Sequence, residues 1–392
     1  MSKGSPFSDA VRARLAAQTR QAWSEPGMTD LGIGQPQDTL LPLELMRRAA
    51  ADFAQSSESY SLQYGNEWGD GYLRLALAEF LSAHYGVAVD PEPLFITNGN
   101  SQAIDLACAA FTQPADVVFV EEPTYFLAID IFRRRGLTIV GIPVDDGGLS
   151  IDALEVELKG RRPAFVYTIP AFHNPTGVTL AAERRARLVE LAQRHGFLVV
   201  ADEVYQMLDY AGDVPPPLAA HVDSGHVLSL GTFSKILAPG LRLGWAQGAR
   251  ALTERLAQLP FVVSGGGLNP FASAFARTVI EKGWLVQNIG SLHSVYRDRV
   301  AVMDATLRKH FPQSIVFHTP RGGYFFWLRF PAGTDTRRFL EPAAKLGVGF
   351  RAGPKFSVCD GQREAMRLSF AFYDGTEIEA AIPLLARAIA TT

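Results

Sequence analysis

From residue 94 onward, short apolar runs alternate with amphipathic stretches. Residues 94–97, 117–120, 137–143, 164–169 and 197–201 are mostly apolar without a period of two. Such runs suit strands buried on both faces. Between them, residues 101–111, 125–135, 151–159 and 181–195 carry apolar positions at helical spacing. Strand and helix in turn indicate a mainly parallel sheet covered on both sides. Residues 227–230 and 242–246 are two more strands, joined only by 231–241 with Pro239-Gly240 inside. That link is short for a helical crossover, so one antiparallel strand is expected.

The ends of the chain have a different texture. Residues 8–24 carry a helical pattern (Val11, Leu15, Ala16, Trp23), read as an N-terminal arm or helix. Residues 31–42 are a Gly- and Pro-punctuated loop, and 43–53 and 71–85 are amphipathic helices. Beyond about Pro270 a helical stretch over 271–310 leads to strands near 315–318, 324–330, 349–351 and 366–370, with a last helix over 377–390. Arg329 and Lys345 are assigned to solvated faces. The expected organisation is α/β. Residues 1–40 form an arm joining the small domain, 41–270 a large doubly wound domain, and 271–392 a smaller α+β domain.

The 392 residues are 47% hydrophobic and 20% charged, an ordinary globular composition. A net charge of -3 implies no polyanion-binding surface, so no nucleic-acid partner is expected. The run Arg133-Arg134-Arg135 ends a helix, where cations complement the helix dipole. Two distant cysteines, Cys108 and Cys359, point to a reducing compartment rather than a disulfide framework. No signal peptide and no apolar run of membrane-spanning length is visible. The expected location is cytoplasmic, with no membrane partner.

The residues that carry chemistry follow the strands. In an open α/β sheet, ligands bind at the carboxyl ends of the strands. Lys235 follows the buried run 227–230 within Gly231-Thr232-Phe233-Ser234-Lys235, and Pro239-Gly240-Leu241-Arg242 comes soon after. Desolvation beside a core lowers a lysine's pKa and readies it for a Schiff base. Thr232, Ser234 and Arg242 are what a phosphate anchor needs. Together they suggest pyridoxal phosphate, an aldehyde with a phosphate; standing alone, Lys235 and Arg242 would read as solvated residues.

Asn98-Gly99-Asn100-Ser101 opens a helix. Asn100 or Ser101 would cap it, either as a phosphate cradle or as an ordinary N-cap. Tyr125 could stack on a flat ring or pack at the core edge. The turn Asn174-Pro175-Thr176-Gly177 offers an amide to a phenolate oxygen. Asp202 ends an apolar run and requires a partner. A protonated pyridine nitrogen or an arginine would serve.

In this order, the elements resemble fold type I pyridoxal-phosphate enzymes, and among them the class I/II aminotransferases of the 2-aminoadipate and kynurenine aminotransferase branch. The match rests on Tyr167 through Gly177, Asp202-Glu203-Val204-Tyr205 and Ser234 through Arg242. Leu62-Gln63-Tyr64-Gly65 and Arg321 through Phe325 add to it. The resemblance implies an enzyme moving an amino group from an L-amino acid to a 2-oxo acid by a ping-pong route. Lys235 would be the Schiff-base lysine and proton shuttle, and Asp202 would pair with the pyridinium. Asn174 and Tyr205 would bond the ring oxygen, and Tyr125 would stack on the ring. Asn100, Ser101, Thr232, Ser234 and Arg242 would hold the phosphate. Tyr64 would reach the neighbouring subunit's phosphate, making the active unit a homodimer with sites at the interface. Arg367 would clamp the substrate α-carboxylate, and Gly34 would approach the substrate from the N-terminal segment. No metal is called for.

The chain departs from the family pattern in three places. Asn100-Ser101 stand where Ser-Gln is more usual. His173 replaces a glutamine; it either tunes the ring or is a tolerated neighbour. Arg351 and Lys355 either favour an acidic substrate or are simply exposed. Rival readings are a β-lyase or decarboxylase on the same scaffold, and a non-catalytic amino-acid-sensing module like part of certain bacterial regulators.

Overall fold

The computed structural model describes Val11, Leu15, Gln21, residues 27–56 and residues 59–392. Apart from the three isolated positions, the arm expected over 8–24 lies outside the described residues. The short strand β1 (Thr29–Asp30) precedes helices α1 (Leu43–Gln55) and α2 (Gly71–Tyr85). Alternation then begins with β2 (Phe95–Thr97), α3 (Asn100–Phe111), β3 (Val117–Glu122) and α4 (Phe126–Arg134). It continues through β4 (Thr138–Asp145), β5 (Gly148–Leu149), α5 (Ile151–Leu158) and β6 (Phe165–Thr168). It ends with α6 (Ala182–His195), β7 (Leu198–Asp202), β8 (Val227–Thr232) and β9 (Gly244–Gly248).

These strands form one sheet in the order β2-β9-β8-β7-β6-β3-β4-β5. β9 runs antiparallel to both β2 and β8, as the short connection before it requires. A second antiparallel strand, β5, folds back on β4 at the sheet edge through a tight turn in which Asp145 accepts the Gly147 amide. The absence of alternation has a direct cause. Val118, Val120, Phe165 and Tyr167 pack into one core, while their strand neighbours Phe119 and Val166 pack into another on the opposite face.

Next come α7 (Arg250–Ala257), α8 (Pro260–Gly265), α9 (Pro270–Glu281) and α10 (Trp284–His310). The single helical stretch expected over 271–310 is therefore broken. Gly283, at φ 71, turns the chain between α9 and α10. α9 packs on α1 and α2, whereas α10 packs along α12 (Gly375–Ala390). The smaller unit also holds β10 (Phe325–Arg329), α11 (Leu340–Lys345), β11 (Val348–Gly349), β12 (Arg351–Ala352) and β13 (Ala365–Ser369).

β10, β13 and β12 pair antiparallel in one sheet. The strand expected near 349–351 is divided at buried Phe350: β12 joins β13, while β11 pairs in parallel with β1. That pairing ties Thr29–Asp30 to the smaller unit. Residues 315–318 form no strand, only an isolated bridge from Val316 to Arg329.

Candidate active site

The ends of β7, β8 and β6, the start of α3 and the middle of β13 converge on one cluster. Asp202 closes β7 and is 3% exposed. Its Oδ1 accepts from Asn100 Nδ2 at 2.6 Å and its Oδ2 from Tyr167 Oη at 2.7 Å. Burial raises its pKa; the two donors and the Lys235 cation oppose that. Among the described residues no arginine forms an ion pair with it, so the structural salt bridge weighed from sequence is not formed.

Lys235 lies past the end of β8 and is part-buried. Its amine donates to Gly34 O at 3.2 Å and sits 5.1 Å from the Tyr324 ring centroid. Desolvation first, then the Arg367 cation, lowers its pKa to about 8, with Asp202 opposing.

Arg367 lies in β13, 3% exposed. Its Nη1 donates to Asn174 Oδ1 at 2.8 Å and its Nη2 to Gly32 O at 2.7 Å, while Nε is buried without a partner. The guanidinium rests 4.0 Å over the Phe325 ring. Burial weakens its hold on its proton, yet a guanidinium remains charged at neutral pH.

At the other end of the cluster, Arg242 and the Asn98-Gly99 turn meet. Arg242 Nη2 donates to Asn98 O at 3.2 Å, and a Cβ on Gly99 would lie 2.9 Å from the same nitrogen. The Thr232 hydroxyl lies 3.0 Å from that of Ser234. The expected cap at the start of α3 is corrected. Gly99 is the N-cap, at φ 81, and no side chain caps it. The Asn100 amide instead serves Asp202 and Leu230 O, and Ser101 is exposed. Gln102, which the sequence reading places in the same helix start without a role, reaches back to accept the Asn98 amide at 2.8 Å, one residue before the N-cap.

Tyr125 is half-buried at the N-cap of α4, and burial raises its pKa to about 12. Tyr205 is buried in the loop after β7, with its pKa raised by burial. Gly34 is tightly packed: a Cβ there would lie 2.9 Å from Phe325 Cζ. Buried His173 has Nε2 3.0 Å from Glu121 Oε2 and Nδ1 2.8 Å from the Thr176 hydroxyl. Arg351 is not free: Asp30 holds it in a two-pronged ion pair, while Lys355 is exposed, 4.4 Å over the Phe126 ring. Tyr64 is not part of this cluster; it is 80% exposed on a groove with Tyr72, Leu75 and Pro270.

The donor set suits pyridoxal phosphate. A buried carboxylate without a cationic partner fits a protonated ring nitrogen. A glycine turn at a helix start, facing an arginine, together with two hydroxyls at the end of β8, fits a phosphate.

The same fold and sequence recur in known proteins. The sequence model of the family described as Aminotransferase class I and II matches residues 26–384. The aromatic-amino-acid aminotransferase 1 of Thermococcus litoralis is 34% identical over 98% of this chain and 94% of its own. The crystal structure of Pyrococcus horikoshii kynurenine aminotransferase, in complex with PMP, KYN as substrates and KYA as products, superposes with a TM-score of 0.89. It is 32% identical and covers 99% of this chain and 95% of its own. LysN, the α-aminoadipate aminotransferase of Thermus thermophilus, complexed with N-(5'-phosphopyridoxyl)-L-leucine, gives a TM-score of 0.85. It is 30% identical over 98% of this chain and 99% of its own. With the family match spanning nearly its whole length, the chain belongs to the class I and II aminotransferases, fold type I enzymes that work with pyridoxal phosphate.

Proposed function

We propose that the enzyme transfers the amino group of an L-amino acid to a 2-oxo acid, with Lys235 as cofactor anchor and as proton carrier at the substrate Cα. One observation supports this above the others. The depressed amine of Lys235 and the guanidinium of Arg367, held in place by Asn174 and Gly32 O, belong to the same cluster, the first suited to take a proton and the second to receive a carboxylate. When bound, the cofactor supplies an electron sink that eases breaking of the Cα–H bond. Asp202 would hold the ring nitrogen protonated. Asn174 Nδ2 and Tyr205 would bond the ring oxygen, and Tyr125 would stack on the ring. Arg242, the Thr232 and Ser234 hydroxyls and the start of α3, at Asn100 and Ser101, would hold the phosphate. Arg367, with Gly34 alongside, would orient the α-carboxylate and so point the Cα hydrogen at Lys235. One amino acid enters and leaves as its 2-oxo acid before a second 2-oxo acid enters, the same residues serving both halves.

The names of the relatives support a donor among aromatic amino acids, kynurenine and 2-aminoadipate. The exposed groove with Tyr64, Tyr72 and Leu75 supports a homodimer in which Tyr64 completes the partner's phosphate site. The packing of α9 on α1 and α2 supports a start of the small domain nearer Trp284 than 271. No helix among the described residues is long and apolar enough to cross a membrane, and both cysteines are free; a cytoplasmic location accords with this.

The test is direct. Candidate amino acids are added singly to the cofactor-loaded protein while its near-visible absorbance is followed. A donor-specific spectral change that a 2-oxo acid reverses supports the reading. Ammonia release without an acceptor would overturn it in favour of a lyase. Lys235→Ala should abolish turnover.

A further inference from the structure

We propose that the Asp30–Arg351 ion pair positions the α-carboxylate site. It holds the strap of residues 31–34 so that the Gly32 carbonyl fixes one arm of Arg367 and sets the guanidinium's orientation toward the carboxylate. This rests on the reading of Arg367 as the carboxylate clamp.

The strap crosses the front of the cluster and is pinned at every step. Gly32 O accepts from Arg367 Nη2 at 2.7 Å, and Gly34 O accepts from Lys235 at 3.2 Å. Leu31 O accepts the Ser369 amide at 2.6 Å. The pair stands at the root of this segment. Arg351 Nη1 and Nη2 reach Asp30 Oδ1 and Oδ2 at 3.0 and 2.9 Å. Asp30 Oδ1 also accepts the Gly32 amide at 2.9 Å, turning the chain toward Arg367. The approach is so close that a Cβ on Gly32 would lie 2.4 Å from Arg351 Nη1.

Charge gives the pair a second use. Arg351 stands opposite Arg367 in the β12–β13 register, and its cation weakens Arg367's hold on its proton. Asp30 opposes that effect on Arg367. A bidentate carboxylate–guanidinium pair fixes direction as well as charge, which a single ammonium contact does not. Neither residue needs to touch substrate. Both act through Gly32, so they are positioning residues.

The amino donor and the 2-oxo acid acceptor carry the same α-carboxylate, so loosening the strap should weaken both alike. The variants are Arg351→Ala and Arg351→Lys, with Arg367→Gln in parallel. The substrates are the donor found by the absorbance screen and 2-oxoglutarate. Arg351→Ala should raise both KM values about tenfold while kcat changes less, a loss of ground-state and transition-state binding together. Arg351→Lys should recover part of the loss. Hydrogen–deuterium exchange should rise in the strap alone, and affinity for pyridoxal phosphate should hold.

Faster exchange with both KM values unchanged would overturn the proposal, leaving the pair a structural staple. So would a parallel fall in kcat, cofactor affinity and melting temperature. Should Arg351→Ala not fold, Arg351→Lys decides, with an intermediate rise in both KM values expected and no rise overturning it. If Arg367→Gln leaves KM unchanged, the clamp reading itself fails. If it raises KM while the Arg351 variants do not, only the positioning role fails.

Discussion

Arg367 Nη1 donates to Asn174 Oδ1 at 2.8 Å, and this one bond settles which way the Asn174 amide faces. With its oxygen committed to the arginine, the amide has only its nitrogen left to offer a ligand. A residue of the small sheet thereby orients a side chain in the turn after β6 of the large sheet. Removing the amide should therefore harm two functions together. Asn174→Ala should lower kcat/KM about 10–100-fold, the loss of a hydrogen bond to a charged group, and also weaken cofactor retention. Steady-state kinetics with a pyridoxal phosphate titration checks both; a change in KM alone would separate them.

Asp202 should show a conflict between stability and function. Burial raises its carboxyl above the ordinary 3.8 in the cofactor-free fold. The folded chain then holds a proton that the unfolded chain has released. Stability falls as pH rises through that interval, and the cost is fully present above the raised value. Cofactor-free Asp202→Asn should melt higher than wild type at neutral pH, and the difference should close as pH falls toward the ordinary carboxyl range. The same variant should bind pyridoxal phosphate roughly 100–1000-fold more weakly, since a buried charge loses its partner. Melting curves of both proteins across pH, with and without cofactor, provide the check.

What the sequence revealed follows from local physics. β9 was legible as antiparallel because Pro239-Gly240 lies in a link too short for a crossover. Asp202 and Lys235 were legible because polar residues just past buried strands need a reason to be there. The Asp202 partner Tyr167 was not, because on a strand buried on both faces a tyrosine reads as core. Asn100 read as a cap, since nothing local tells that its amide turns to a residue 102 positions along the chain. Asp30 and Arg351 lie 321 positions apart and meet only because β1 pairs with β11. The division at Phe350 also depends on that pairing, so a local pattern suggested one strand where two sheets share the segment.

Lys235 supplies a pH signature. Burial and the Arg367 cation lower its pKa from 10.5 to about 8. Below about 8 both folded and unfolded chains carry the proton and the burial cost is present in full; it is relieved as pH rises toward 10.5. The neutral amine is the reactive form, so uptake of pyridoxal phosphate by the cofactor-free protein should speed up with half its rise near 8 and then level off. Arg367→Gln removes one of the three depressing influences, burial and the Arg242 cation being the others, and should move the midpoint upward. Stopped-flow absorbance over a pH series reads both; a wild-type midpoint near 10.5 would show an amine open to water.

Tyr64 tests the assembly. It is 80% exposed and outside the cluster that holds Lys235, so a monomer leaves its proposed role unfilled. In a two-fold dimer each subunit would lend Tyr64 to the other's phosphate. Tyr64→Ala should weaken cofactor binding, and Lys235→Ala should be inactive. Mixed in equal amounts under conditions that let subunits exchange, the two should regain activity. A mixed dimer has one site with Lys235 from one chain and Tyr64 from the other, and one site lacking both. Random exchange makes half the dimers mixed, so recovery should approach about a quarter of wild-type activity. Activity that remains at the Tyr64→Ala level after exchange, verified by mass spectrometry of tagged subunits, would place Tyr64 in its own subunit's site or in none.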